Sequence, residues 1–163
     1  MRLEFADGRV GEGAPTSVRT VHDLRGAWAS EPDAGDQRVV YRTYGMSGDR
    51  ETPDLLYATT AIEPGDVDGE CFMTRGHFHT RPERGEWMLT LRGSGSLVLR
   101  DRDGQAWTEK MEAGSVHMID GRHAHRVANT GDEPLVFVVT WLADCGHDYE
   151  TIMREGFGLV VRR

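Results

Sequence analysis

From Val39 to Ala143 the chain reads as short apolar runs of four to nine residues, each quoted below with its flanking turn residues, separated by clusters of Gly, Pro, Asp and Asn. The runs are VVYRTYGM, LLYATTAIEPG, ECFMTRGHFH, EWMLTLRGSG, SLVLRDRDG, QAWTEKMEAG, VHMID, AHRVANTG and LVFVVTWLA. They are rich in Val, Leu, Thr, Tyr and Trp, which fit a pleated, half-buried surface. Turn signals sit between them, at Ser47–Asp54, at Asp101–Gly104 and at Asn129–Pro134. Many short strands at this spacing predict an all-β sandwich or barrel. Two stretches depart from the pattern. Thr20–Trp28 has the texture of a short helix, and the tail GHDYETIMREGFGLVVRR predicts a helical turn or two followed by a last strand.

With 163 residues, 38% of them apolar, the chain fits one domain with a core large enough to fold alone. Residues 1–38 are expected to form an extension packing on a barrel domain of residues 39–163. The net charge of −8 argues against a nucleic-acid partner, because phosphate neutralisation needs a basic face. The opening segment has no apolar run suited to secretion, and no stretch is apolar enough to span a bilayer, so a cytoplasmic protein without a membrane partner is expected. Cys71 and Cys145 lie far apart and read as reduced thiols. Lys110 is the one lysine among 19 basic residues, a compositional bias that marks no site.

Candidate chemistry concentrates in MTRGHFHTRPERGE, Met73–Glu86. On a strand, side chains alternate faces, so His77 and His79 share one face and Phe78 takes the other. Glu86 follows seven residues after His79, and Glu83 is a nearer carboxylate. In the later run GSVHMIDGRHAHRVANTG, His125 and His123 share strand parity and compete for a further place. Two or three imidazoles and a carboxylate suit a divalent first-row metal, and an unfilled coordination position would make such a site catalytic. On the same alternation Trp87 and Leu89 face away from Glu86 and read as packing. Arg75, Arg81 and Arg84 flank the histidines, either as solvated edge residues or as a local attraction for an anion.

These spacings resemble the two motifs of the cupin superfamily. His77, His79, Glu86 and Gly93 fill the first, and Gly114, His125 and Asn129 the second, while Cys71 stands where a glycine is usual and Asp120 and Arg122 replace the usual Pro and Gly. The wide gap before Glu86, together with ATT and PG within Ala58–Gly65, FMTRGHFH, RGE, AHR and NTGDEP within Ala124–Pro134, and ADCGHDYETI with GF at Ala143–Phe157, is similar to the cupin-type glucose-6-phosphate isomerases. The resemblance implies a single cupin (jelly-roll) β-barrel with short flanking helices. It also implies a homodimer acting on a small sugar phosphate, with one divalent transition metal per subunit, Fe2+ or Mn2+ first and Zn2+ or Ni2+ as alternatives.

By the same resemblance His77, His79, Glu86 and His125 bind the metal. Tyr41, Thr60, Thr74 and Gly76 bind substrate, the threonines and Gly76 around its phosphate. Glu86, His147 and Tyr149 are the catalytic candidates. Met88 and Trp141 border the substrate at two positions where the family carries tyrosine. The implied reaction moves a hydrogen between C1 and C2 of an aldose or ketose phosphate, by an enediol or by a hydride shift. Action on another sugar phosphate, or Fe(II) oxygenase chemistry on the same ligand types, are the competing expectations.

Overall fold

The structure is a computed structural model that describes residues 2–45 and 55–163. The turn expected at Ser47–Asp54, like Met46, lies outside the described residues. Ten of the strands matter for the site: β1 (Ser17–Thr20), β2 (Val39–Gly45), β3 (Leu55–Ile62), β6 (Phe78–His79), β7 (Glu86–Arg92), β8 (Ser94–Arg100), β9 (Ala106–Glu112), β10 (Val116–Ile119), β11 (Ala124–Asn129) and β12 (Leu135–Leu142). Three two-residue strands, β4 (Asp66–Val67), β5 (Glu70–Cys71) and β13 (His147–Asp148), and one helix, α1 (Tyr149–Glu155), complete the chain. Antiparallel pairing orders one sheet β1-β2-β3-β12-β7-β10 and a second β11-β8-β9. The expected all-β class is observed.

The alternation read from the sequence explains how the layers meet. On β8, Leu97 and Leu99 face the main core with Ile62, Met88, Met111, Leu135 and Phe137, while Val98 faces outward. Val98 meets a second cluster made with Phe78, Ala124, Ile152 and Phe157, so α1 covers the back of the smaller sheet. Asp148 caps that helix by accepting the Thr151 N–H at 3.1 Å, and Gly156 ends it with φ 69°. Arg100 ties the sheet to the helix, its guanidinium 3.1 Å from Glu155. Asn129, fully buried, donates to the carbonyls of Ile62 and Glu133 at 2.9 Å each and accepts from Gly131 N–H at 2.9 Å. It clamps the turn that returns the chain from β11 to β12.

Three expectations need correction. The run from Glu70 to His79 is not one strand: Gly76 adopts φ 79°, and between β5 and β6 the chain makes only isolated bridges to β11, Met73 with Ala128 and His77 with His125. A Cβ at Gly76 would lie 2.6 Å from the Phe157 ring and 2.8 Å from Arg126 Cβ, so the close packing there accompanies the break. Thr20–Trp28 yields only the 3-10 turn His22–Leu24. The last strand of the tail reduces to a bridge between Arg162 and Glu70. Apart from these corrections, the N-terminal segment supplies β1, which pairs with β2 and extends the large sheet by an edge strand. No helix of the described residues is long and apolar enough to cross a membrane.

Candidate metal centre and substrate cavity

His77, His79, Glu86 and His125 converge from three stretches of chain, and one ligand atom from each lies within 4.8 Å of all the others. His77 and His125 are brought together by mutual backbone hydrogen bonds, His77 N–H to His125 carbonyl at 3.3 Å and the reverse at 3.1 Å. Glu86 opens β7 and turns inward with Met88 and Thr90. The imidazoles of His77 and His79 stack with centroids 5.5 Å apart, and that of His125 stands edge-on to both. Glu86 reaches between them, 3.7 Å from His79 Nε2 and 3.6 Å from His125 Nε2.

Whether these residues suit a metal can be judged from their unspent polar atoms. The Nε2 atoms of His77, His79 and His125 are buried with no hydrogen-bond partner. Buried polar atoms are normally satisfied, so three unpaired nitrogens gathered at one point suit a shared cation. Ligands about 2.0–2.2 Å from one ion lie about 3–3.6 Å apart, close to the two Glu86 separations. The tautomer also fits, because His79 donates its Nδ1–H to the Arg84 carbonyl at 2.6 Å and leaves Nε2 as a lone pair. The residues fit a divalent ion. His123 packs edge-on against Trp107 at 5.0 Å, and Glu83 pairs with Arg81 on the surface, so neither competing candidate joins the group.

A cavity of about 170 Å³ opens beside the tetrad, bordered by His77, Glu86 and His125. His79, with no exposed surface, is sealed behind them. Every residue expected to contact substrate borders this cavity: Tyr41, Thr60, Thr74, Gly76, Met88 and Trp141, and also His147 and Tyr149. The His147 ring sits 4.3 Å from that of His77 and the Tyr149 ring 5.2 Å. The sequence reading missed Thr43, Arg126, Val127, Phe137 and Val139, and left Arg75 undecided; all six border the cavity. Most were accessible by parity. Thr43 is two residues from Tyr41, Val127 two from His125, and Phe137 and Val139 alternate with Trp141.

Burial sets the protonation of the centre. It pushes the His77 pKa well below its ordinary value, helped by the neighbouring imidazoles, and it lowers that of His125 against the pull of Glu86. His147 is also lowered, first by its partial burial and then by His79. For His79 burial acts downward too, yet the Glu86 carboxylate and Arg84 carbonyl outweigh it and the pKa rises. Neutral imidazoles are what a metal requires. The signs carry over to the metal-free protein. Between about pH 7.5 and 5.5 the unfolded chain takes up protons that native His77 and His125 refuse, so stability falls as pH falls. His79 acts in the opposite sense but alone. Calorimetry of the chelated protein should show the unfolding midpoint dropping across this window; a flat or rising midpoint would contradict the assignment.

The chain is similar to known proteins over nearly its whole length. A family model described as glucose-6-phosphate isomerase matches residues 18–161. The chain is 38% identical over 167 residues to the glucose-6-phosphate isomerase of Thermococcus litoralis, covering 99% of this chain and 87% of that one. It is 37% identical over 166 residues to the Pyrococcus horikoshii enzyme of the same name, with the same coverage of 99% and 87%. It is also 32% identical over 162 residues to a putative glucose-6-phosphate isomerase 2 of Rhizobium meliloti, covering 95% and 80%. Among solved structures, Lactobacillus farciminis oxalate decarboxylase aligns with TM-score 0.54 at 24% identity over 67% of this chain and 30% of that one. Bacillus subtilis oxalate decarboxylase, described for its Mn(II) centers, aligns with TM-score 0.50 at 28% identity over 64% and 26%. The chain therefore spans less than a third of either decarboxylase, and these likenesses speak to the cupin fold. The motif spacing, the tetrad with its cavity and near full-length identity converge on one conclusion: the chain belongs to the glucose-6-phosphate isomerase family.

Proposed function

We infer that this protein is a metal-dependent aldose-ketose isomerase that interconverts glucose 6-phosphate and fructose 6-phosphate. The observation that carries the reading is the set of three orphaned imidazole nitrogens and one carboxylate at the wall of a cavity, in a chain of this family. A divalent ion held by His77, His79, Glu86 and His125 would supply Lewis acidity to the sugar oxygens at C1 and C2. Fe2+ or Mn2+ is the assigned ion, ahead of Zn2+ and Ni2+.

The protein's own groups do the rest. Glu86 is the sole carboxylate bordering the cavity among the described residues, and it is assigned the proton that leaves one carbon and returns to the other. His147, a neutral imidazole open to solvent on its outer side, is assigned the proton transfer that opens the sugar ring. Tyr149 beside it and Tyr41 across the cavity orient hydroxyls, while Thr60, Thr74 and the backbone at Gly76 hold the phosphate. The reading has residues 1–38 as an extension on the 39–163 barrel domain, in a cytoplasmic homodimer. Edge strand β10, where Val116 is 54% and Met118 76% exposed, supports a subunit contact.

The apolar wall of Met88, Phe137, Val139 and Trp141 favours a second substrate reading, a sugar phosphate with fewer hydroxyls presented to that side. One assay separates the readings. Protein loaded with Mn(II) or Fe(II) and given fructose 6-phosphate should produce glucose 6-phosphate, followed by a coupled dehydrogenase. Turnover only with another sugar phosphate would select the second reading, and oxygen uptake without isomerisation would overturn both.

A further inference from the structure

Three arginines crowd the HxH segment, and the structure separates them. Arg81 pairs with Glu83 at 2.8 Å and with Asp144, and Arg84 reaches Asp144 at 2.9 Å, so both charges are offset at the surface. Arg75 forms no ion pair among the described residues. It borders the cavity, one terminal nitrogen donates to the Asp23 carbonyl, and its Nε is buried with no hydrogen-bond partner. The cavity's other cation is already offset: Arg126 lies 3.6 Å from buried Glu70 and donates to the Leu159 carbonyl at 2.8 Å. A guanidinium left without a counter-charge in a cavity wall, in a chain of net charge −8, has the electrostatics of an anion receptor.

Hydroxyl donors border the same cavity. Register pairing sets Thr43 opposite Thr60, with their hydroxyl oxygens 3.4 Å apart. The Thr74 hydroxyl accepts the Val127 N–H at 3.0 Å, which leaves its own proton to donate elsewhere. A planar fork beside several hydroxyls matches the tetrahedral, multiply charged oxygens of a phosphate ester. Arg19, on the exposed edge strand β1, lies opposite Tyr41 in the β1–β2 pairing, outside the cavity's own lining.

We propose that Arg75 is the specificity-determining residue for the anionic end of the substrate, receiving the phosphate together with the hydroxyls of Thr43, Thr60 and Thr74. The proposal rests on the sugar-phosphate reading above and assigns the selection of phosphorylated over free sugar to one side chain. Arg75→Gln keeps a polar side chain and removes the charge, whereas Arg75→Lys keeps the charge and loses the fork.

The test compares wild type, Arg75→Gln and Arg75→Lys, each as metal-loaded full-length protein checked for equal metal content. KM and kcat for fructose 6-phosphate are measured, along with the shift in unfolding midpoint produced by inorganic phosphate against chloride at matched ionic strength. The expected result is a KM raised about 10- to 100-fold in Arg75→Gln with kcat within about threefold, no phosphate shift, and partial recovery of both in Arg75→Lys. Unchanged KM and unchanged phosphate shift in Arg75→Gln would overturn the proposal, as would equal losses in Gln and Lys variants. If wild type fails to isomerise fructose 6-phosphate, the functional reading falls by itself, and the phosphate shift still decides the role of Arg75.

Discussion

Replacing His79 with alanine is expected to strip the metal and abolish isomerisation. The side chain has no exposed surface, its Nδ1–H is committed to the Arg84 carbonyl at 2.6 Å, and its Nε2 points at Glu86 with no other partner. Neither of the competing candidates can substitute, because His123 is turned to Trp107 and Glu83 is held at the surface by Arg81. Loss of an outer hydrogen-bond partner of a metal ligand costs about 10- to 100-fold in affinity, so loss of the ligand itself should cost at least about 100-fold. Metal analysis of the purified variant, at micromolar protein after dialysis, should find well under stoichiometric metal, with activity lowered by at least the same factor.

Glu86→Gln provides the contrast. It keeps the shape and one oxygen ligand but cannot accept a proton, so activity should fall about 100- to 10,000-fold with a smaller loss of metal. Stoichiometric metal in His79→Ala would show the ligand assignment to be wrong. Equal loss of metal in both variants would instead confine Glu86 to a ligand's role.

The largest effect on stability is expected at Glu70. This carboxylate is 2% exposed and lies 3.6 Å from the guanidinium of Arg126, itself 5% exposed. It also accepts the Ala29 N–H at 2.6 Å, joining the N-terminal segment to the core. Burial already pushes the Arg126 pKa down to about 10 in spite of Glu70's opposing charge. Glu70→Ala leaves that cation buried without a counter-charge and the Ala29 amide without an acceptor. Breaking a buried pair from one side costs about 3–5 kcal/mol, which for a chain of this size lowers the midpoint by roughly 6–20 °C. Urea unfolding measures it. Glu70→Leu combined with Arg126→Met should recover much of the loss, since replacing both charges removes the desolvation penalty along with the attraction. A single variant within about 1 kcal/mol of wild type would mean that water already reaches the pair.

Arg126 also borders the cavity beside His125, so this pair links stability to the site. Its position escaped the sequence reading for a physical reason. Arg126 alternates with His125 and by parity should face away. Its long side chain passes under Phe157, 4.6 Å from the ring centroid, and ends at the Leu159 carbonyl, contacts that local periodicity cannot express.

What the sequence by itself determined was local and periodic. Alternation and turn residues specified the strands, the hairpin at Asp101–Gly104 and the inward parity of Glu86 with Met88; the spacing of two motifs specified which histidines to consider. Extending the same parity from Tyr41, His125 and Trp141 would have reached Thr43, Val127, Val139 and Phe137. Alternation alone left His123 beside His125 and Glu83 beside Glu86; the motif spacing favoured His125 and Glu86, and the tertiary structure gave the other two partners elsewhere, His123 on Trp107 and Glu83 on Arg81. It likewise separated Arg75 from Arg81 and Arg84, three residues of one type in one segment. Asp144 offsets two of them from 60 or more residues away, and the third borders the cavity without an ion pair among the described residues. Pairing of charges depends on distance in space, and a spacing along the chain carries no record of it.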